Sequence, residues 1–475
     1  MHAGLPPVLS AIPGMSRLAS GKHRVSLMWL LGLGYLAIIG VGAGLLMLPI
    51  CQRDHVVPGL DCLFTATSAA TLTGLVVWST HDTWTLYGQL VILALIQLGG
   101  LGFMAGATVV ALRIGLRVGL QQHLRLSDAP NAFSLHDAWR VVRYIALTMF
   151  GLEAVGALLL TLRLYLAHHE PWLTAGYQGI FYAVSAFCNA GFDVARGFTG
   201  LRAWHDDAWL LLLLSALIIL GGLGFGVLAE LVARRRGRRV SLHFKLVLLA
   251  TAVLLLLGWG HMLLFEWHNP ATLGGMPGPQ RVVNAWFLAV TPRTAGFSTV
   301  PTKDLAPPTL FVTGLLMIVG ASPDSTGGGV KTTTLVVILL AILTLMRGRS
   351  DIEIFRRRVS GEQVRLALSL VSVYLAALLL FALGISLTEG IHTGVRVGAI
   401  DPLTRFTQLL FEVLSALSTG GQSAGVTPLL TAASRGLLIA AMLVGRLGPL
   451  AFVYLFAKPR RPQLRRLPEE TVMTG

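Results

Sequence analysis

Four times along the chain a half-length apolar segment runs into a short loop that carries a glycine, and a long apolar segment follows. The loops are Thr71-Leu72-Thr73-Gly74-Leu75, Cys188-Asn189-Ala190-Gly191-Phe192, Arg293-Thr294-Ala295-Gly296-Phe297 and Ser418-Thr419-Gly420-Gly421-Gln422. A segment such as Leu60 to Ala70, rising about 1.5 Å per residue, covers about half of a hydrocarbon core, so it enters and returns. Backbone that is neither helix nor closed barrel is tolerated at membrane depth only where it is buried in protein or lines a watery cavity; four such loops imply one shared cavity. Glycine permits a positive φ at little steric cost, so successive carbonyl oxygens can be aimed at a common axis. Rings of carbonyls replace the hydration shell of a cation, and the negative C-terminal end of each half-helix faces the same path. The expected ion-binding residues are Thr71, Leu72, Thr73 and Gly74; Asn189, Ala190 and Gly191; Thr294, Ala295 and Gly296; and Thr419, Gly420 and Gly421.

Of the 475 residues 54% are hydrophobic and 12% charged, against roughly 25% charged in soluble domains; this is a polytopic membrane protein. Apolar runs long enough to span occur near 26 to 50, 84 to 112, 144 to 166, 208 to 232, 246 to 265, 309 to 346, 366 to 388 and 433 to 457, eight in all. The first lacks a small-residue cleavage pattern and reads as an uncleaved span. The loop glycines lie 117, 105 and 125 residues apart, and Gly-Gly-Leu-Gly-Phe recurs at 99 to 103 and 221 to 225, a second sign of repetition. The expected fold is all-α, with four repeated helix, pore-helix-loop, helix hairpins in pseudo-fourfold array around a central pore. The hairpins fall at 26 to 112, 144 to 232, 246 to 346 and 365 to 457, between tails 1 to 25 and 458 to 475.

The net charge of +15 is topogenic. Of 37 Lys and Arg, 24 fall in the two tails and in 111 to 143, 233 to 245 and 347 to 364, while only 8 fall in the opposite loops. That asymmetry puts both termini in the cytoplasm and the protein in the cytoplasmic membrane. It leaves no case for nucleic acid, and the basic tail Lys458 to Arg466 suits anionic lipid headgroups. Cys51, Cys62 and Cys188 have no metal-ligand spacing; they read as small packing residues, with a Cys51–Cys62 bridge left open.

The third copy departs from the pattern. Gly320-Ala321-Ser322-Pro323-Asp324-Ser325-Thr326-Gly327-Gly328-Gly329-Val330-Lys331 cannot continue a regular helix, and an irregular segment bearing an acid and a lysine belongs in a cavity beneath the loops. It reads as a gate formed by Gly327, Gly328, Gly329, Lys331 and Asp324, the alternative being a packed hinge with Lys331 snorkelling. Arg446, in mid-span, either braces that segment or a pore-helix end, or pairs structurally with Glu412. His81-Asp82, His168-His169-Glu170 and His205-Asp206-Asp207 read as solvated loop residues. No nucleophile stands at usable spacing from a base, so the chain is not an enzyme.

Together these loops, the Ser322-Pro323 to Lys331-Thr332-Thr333 segment and Arg446-Leu447-Gly448-Pro449 resemble the Trk/Ktr/HKT superfamily of potassium transporters, in the eight-span KtrB-type form. The resemblance covers about residues 26 to 457. It implies a potassium-selective pore, pairing into a homodimer, and docking on a cytoplasmic ring of RCK-type regulatory subunits that bind adenine nucleotides. No cofactor is expected in this chain; potassium is its substrate. Three places depart from the family pattern: in the fourth loop Gly420 and Gln422 replace larger apolar residues, Cys188 replaces an asparagine, and Asp324 stands where glycine is usual, either to pair with Lys331 or to attract cations. The alternative function is a sodium- or proton-coupled carrier, since broken helices also build carrier sites.

Overall fold

The computed structural model describes residues 27–113, 135–234, 240–349, 351–390 and 402–448. Four helix, short helix, helix units follow one another. The first is α1 (Leu27–Leu46), α2 (Gly59–Thr71) and α3 (Leu86–Arg113); the second is α4 (Leu135–Ala167), α5 (Trp172–Phe187), α6 (Ala208–Leu223) and α7 (Phe225–Arg234). The third is α8 (Leu242–Glu266), α9 (Gly278–Val290), α10 (Pro307–Ile318) and α11 (Thr332–Met346), and the fourth α12 (Gly361–Thr388), α13 (Pro402–Ser418) and α14 (Ala432–Leu447). Between α11 and α12 lies a small antiparallel hairpin, β1 (Ile352–Ile354) and β2 (Arg357–Val359), which an all-α reading did not include.

The four short helices share a start and a stop. Each begins at a proline: Pro58, Pro171 and Pro277 immediately precede α2, α5 and α9, and Pro402 opens α13. The fixed φ of proline suits the first turn, and it brings no N–H to leave unpaired. Each ends by passing into left-handed backbone (below). Within each unit the first helix packs on the short helix and on the helix that follows it, and between units α3 packs on α5, α6 on α9, α10 on α13, and α14 back on α2, so the contacts close a circle. Arg435 of α14 and Asp61 of α2 tie that last junction at 2.7 Å.

The glycines after the loops allow this closeness. A Cβ on Gly99, Gly221 or Gly445 would run into the carbonyl oxygen of Ala70, Phe187 or Leu417 respectively, each four residues before a loop glycine. Gly445-Arg446-Leu447-Gly448 is thus a further copy of the Gly-Gly-Leu-Gly pattern, with Arg446 in place of the second glycine.

The expected span 208 to 232 is not one straight helix. It bends by 102° between α6 and α7, where Gly224 adopts φ 91° and Phe225 N–H bonds the Asp324 carbonyl at 3.0 Å. A chain break elsewhere in the fold thus captures the N–H that a continuing helix would have used. Among the described residues Trp139–Ala167, Leu242–Glu266 and Gly361–Thr388 are singly long and apolar enough to cross a membrane, and the bent pair makes a fourth; Pro307–Ile318 and Thr332–Met346 are shorter apolar helices. The expected span 309 to 346 is interrupted between Ile318 and Thr332, and the helix of the last one ends at Leu447, before Gly448 at φ 85°, residues 449 to 457 lying outside the described residues. The tails 1 to 25 and 458 to 475 lie outside the described residues.

All three cysteines are free and buried, so Cys51 and Cys62 are not bridged. Asp207 is no solvated loop residue either. It is 4% exposed, caps α6 by accepting Leu210 N–H at 3.1 Å, and takes Arg163 and His168 at 2.8 Å each.

Candidate functional site

The four loops meet. A Cβ on Gly191 would lie 2.9 Å from the Ala295 carbonyl oxygen and 2.9 Å from Gly296 Cα; one on Gly296 would lie 2.9 Å from Gly191 Cα and 3.2 Å from Gly421 Cα. One on Gly421 would strike the Thr73 oxygen, and one on Gly74 the Ala190 oxygen. The loop backbones therefore touch in sequence order and close into a ring, leaving no room for a side chain at the four glycines.

Each loop carries the same backbone signature. Two residues ahead of the glycine sits a non-glycine in the left-handed region: Leu72 (φ 58°), Asn189 (56°), Thr294 (70°) and Thr419 (54°); the glycines follow at 89°, 72°, 80° and 78°. Alternating left-handed residues let neighbouring peptide groups face one way. The left-handed exit also caps the helix: Thr73 N–H bonds Ser68 O at 2.8 Å, Ala190 N–H bonds Ser185 O at 2.8 Å and Gly420 N–H bonds Ser415 O at 2.7 Å, the reach-back bond of a helix C-terminal motif. Hydroxyls in the last helical turn pin three loops from behind. Ser68 Oγ accepts Gly74 N–H at 3.0 Å, while Ser185 and Thr291 donate to the Phe192 and Phe297 carbonyls at 2.7 Å. Sequence reading missed both features; the only hints were a recurrent Ser or Thr five or six residues before each glycine.

On one side of the ring a vestibule of ≈ 370 Å³ is lined by the four glycines and by Asp193, Arg202, Lys303 and Gln422 among others. Its rim joins copies. Asp82 accepts Gly197 N–H at 2.7 Å and the Ser79 hydroxyl at 2.8 Å, so the His81-Asp82 pair is a crosslink between the first and second units and not merely solvated. The Gly197 N–H foremost holds the Asp82 carboxyl down at about 2, against about 3.9 for a free aspartate. A depressed folded pKa contributes stability that is present above about pH 4 and lost as the pH falls towards about 2. The difference in Tm between the wild type and Asp82→Asn in detergent is therefore expected to be constant above about pH 5 and to shrink as the pH falls from about 4 to 2. A gap that does not change over that range contradicts the assignment.

On the other side lies the segment between α10 and α11. Val319 and Val330 bridge in parallel, and Ala321 N–H bonds Gly328 O at 3.3 Å, so the segment is a closed loop. It touches three loops or their helices directly. Gly328 N–H bonds Thr419 Oγ1 at 3.2 Å, Thr326 Oγ1 bonds Phe187 O at 3.3 Å, and a Cβ on Gly327 would strike Thr294 Oγ1. Ser322 and Thr326 N–H also bond the Gly222 and Gly221 carbonyls at 3.0 and 3.2 Å.

Arg446, 2% exposed, donates to the Thr326 carbonyl and, at 3.4 Å, to Gly99 O. Its bond to Thr326 thus ties α14 to this segment. Glu412 does not pair with it. Glu412 takes Ser423 Oγ at 2.7 Å, Ala424 N–H at 2.9 Å and Thr427 Oγ1 at 2.7 Å, anchoring the fourth loop's exit. Lys331 does not pair with Asp324 either: its Nζ donates to the Gly327 carbonyl at 2.7 Å. Asp324 sits at φ 57° at the turn that caps α7, its carbonyl accepting Phe225 N–H at 3.0 Å.

Four re-entrant helices that deliver backbone to one axis make a membrane transport protein, not an enzyme. Residues 41–463 match TrkH, the cation transport protein family, and the chain belongs to that family. It is 36% identical over 447 residues to the Ktr system potassium uptake protein B of Bacillus subtilis (strain 168), covering 94% of this chain and 96% of that protein. It is 33% identical over 457 residues to the potassium/sodium uptake protein NtpJ of Enterococcus hirae, covering 96% and 98%. The crystal structure of the potassium transporter TrkH from Vibrio parahaemolyticus shares the fold at TM-score 0.69 and 18% identity, over 92% of this chain and 86% of that one.

Proposed function

We propose that this chain is the pore-forming component of a potassium uptake system in the cytoplasmic membrane. The observation that carries the reading is the ring: four loops of one backbone signature, glycine against glycine, each at the C-terminal end of a short helix. Backbone oxygens of Thr71 to Gly74, Asn189 to Gly191, Thr294 to Gly296 and Thr419 to Gly421 replace the water of a dehydrated cation. The four units supply eight spans in a pseudo-fourfold array, a reading supported by the closed circle of helix contacts, with both termini cytoplasmic, a reading supported by the excess of Lys and Arg in the tails and in alternate loops. Sequence relatives named for potassium uptake support the choice of ion.

Segment 320 to 331 acts as the gate. It stands beneath the ring, and Lys331 places an ammonium group there. Opening requires the Gly328–Thr419, Thr326–Phe187 and Arg446–Thr326 bonds to break. At about 1 kcal/mol net for each neutral bond and somewhat more for the charged one, the cost is a few kcal/mol, the size of gap that a ligand's differential affinity can overcome. The control comes from a cytoplasmic RCK-type ring that binds adenine nucleotide. Its dock is the basic groove of ≈ 690 Å³ formed by Arg234, Lys245, Arg356 and Arg357. A second copy of the chain covers apolar surface such as Leu379, Leu380 and Leu383 of α12, each at least 60% exposed.

The test is net potassium uptake by potassium-depleted cells that lack other uptake systems and express this chain with its regulatory partner. Uptake restored by the wild type and absent with the vector supports the reading; no restoration despite membrane insertion contradicts it. A second reading, passage of sodium as well, is favoured by the fourth loop. Gln422 is 2% exposed beside the ring with its Oε1 lacking a donor, and Gly420 leaves that wall without a side chain.

A further inference from the structure

A carboxyl group stands in the middle of α4 where the transport mechanism does not use it. Glu153 is 4% exposed, within the apolar stretch Trp139–Ala167. Its partners are neutral. Gln97 Nε2 of α3 donates to Oε2 at 2.6 Å, and Cys188 Sγ, at the end of α5, lies 3.5 Å from Oε1 and 3.8 Å from Gln97 Oε1. The three side chains close a triangle between three helices. A lipid-facing crevice of ≈ 420 Å³, with apolar walls from Leu90, Leu93, Phe150 and Ile180, opens onto Gln97 and Glu153.

An aliphatic side chain would suit that crevice better, because an ionisable residue in hydrocarbon is costly and, where retained, functional by default. What this one holds is the thiol next to the second loop. Asn189, directly after Cys188, is the left-handed residue that turns the chain into the ring. Gly100 faces the thiol on its other side, where a Cβ would lie only 3.1 Å from Sγ. Any slide of this loop reaches both neighbours, since Cβ atoms on Gly74 and Gly296 would lie 3.0 and 2.9 Å from Gly191 Cα.

We propose that Glu153 and Gln97 are positioning residues for ion selectivity. Through Cys188 they hold the backbone of Asn189-Ala190-Gly191 at the depth that closes the ring. The inference rests on the ring being the ion-binding site. A brace of this kind governs discrimination between ions more than throughput, because a small displacement of carbonyl oxygens changes their fit to one ion size over another while the path stays open.

The test is the potassium-to-sodium discrimination ratio, from competition against rubidium flux, for the full chain in proteoliposomes. Glu153→Leu is expected to lower the ratio about tenfold, more than it lowers rubidium flux itself. Glu153→Gln, which can still accept from Gln97, is expected to restore most of the ratio. Gln97→Leu breaks the same triangle from α3 and is read in the same way should Glu153→Leu fail to fold. Gly191→Ser serves as the ring control. A ratio changed in Gly191→Ser but unchanged in Glu153→Leu and Gln97→Leu overturns the brace alone, as does a loss of flux equal for all cations. A ratio unchanged in Gly191→Ser overturns the ring reading and the brace with it.

Discussion

Gly296→Ser is expected to abolish potassium-selective uptake while the protein still inserts and purifies as a single species. Gly296 holds φ 80°, and its missing Cβ would lie 2.9 Å from Gly191 Cα and 3.2 Å from Gly421 Cα. Both neighbours are backbone, so no rotamer change relieves the contact. A left-handed conformation costs an L-residue about 1 to 2 kcal/mol, which the fold tolerates at Leu72, Asn189, Thr294 and Thr419. The decisive effect is the second one: the loops must move apart. Each 1.4 kcal/mol of lost discrimination is about tenfold, so carbonyls displaced from a potassium-sized site are expected to bring the potassium-to-sodium ratio down by at least about tenfold, with rubidium flux reduced or lost. Competition of potassium and sodium against rubidium flux measures it. A wild-type ratio in Gly296→Ser would remove the ring from the ion path.

Deleting Gly327 to Gly329 is expected to raise flux in the resting state by about tenfold or more. The deletion removes the Gly328 N–H bond to Thr419, the Gly328 carbonyl that accepts from Ala321 N–H, and the Gly327 carbonyl that holds Lys331. With the Val319–Val330 bridge left no span to close, the segment cannot reach beneath the loops. Rubidium flux without the regulatory partner is the readout. If the segment is instead a packed hinge, the resting flux stays at the wild-type level, and the gate must be sought elsewhere.

The parts of this fold that were readable in advance are those written locally. Thr294-Ala295-Gly296 and its three echoes announced themselves because a membrane forbids irregular backbone except around a cavity. The break at 320 to 331 followed from Pro323 and three consecutive glycines. What was not readable depends on residues far apart in sequence. Arg446 reaches Thr326 across 120 positions, and local pattern gave no ground for choosing it over Glu412. The bend at Gly224 depends on the Asp324 carbonyl, 100 positions on, so 208 to 232 reads as an unbroken span. Cys188 showed as a departure from the family pattern, but Glu153 and Gln97, the residues that face it, are single polar side chains in long apolar runs. The prolines before each short helix were readable, and were missed because they lie outside the apolar segments that drew attention. Gly445-Arg446-Leu447-Gly448 hid its kinship with Gly221-Gly222-Leu223-Gly224 behind one substitution.

The paired helix ends have a consequence for how the ring holds its shape. Gly99, Gly221 and Gly445 press helix backbone against the carbonyls of Ala70, Phe187 and Leu417, the last turns of three short helices. In the third unit the corresponding place is the break itself, where Gly320 meets the Gly328 carbonyl. Segment 320 to 331 thus stands where helix backbone meets the end of a short helix in the other units.

The most direct test of the central claim is rubidium flux into proteoliposomes holding the purified chain alone, with potassium and sodium as competitors, with and without an imposed pH gradient. The ring reading predicts flux that potassium blocks, that sodium blocks weakly, and that a pH gradient leaves unchanged. Flux that appears only when a proton or sodium gradient is imposed would contradict it and make the protein a coupled carrier.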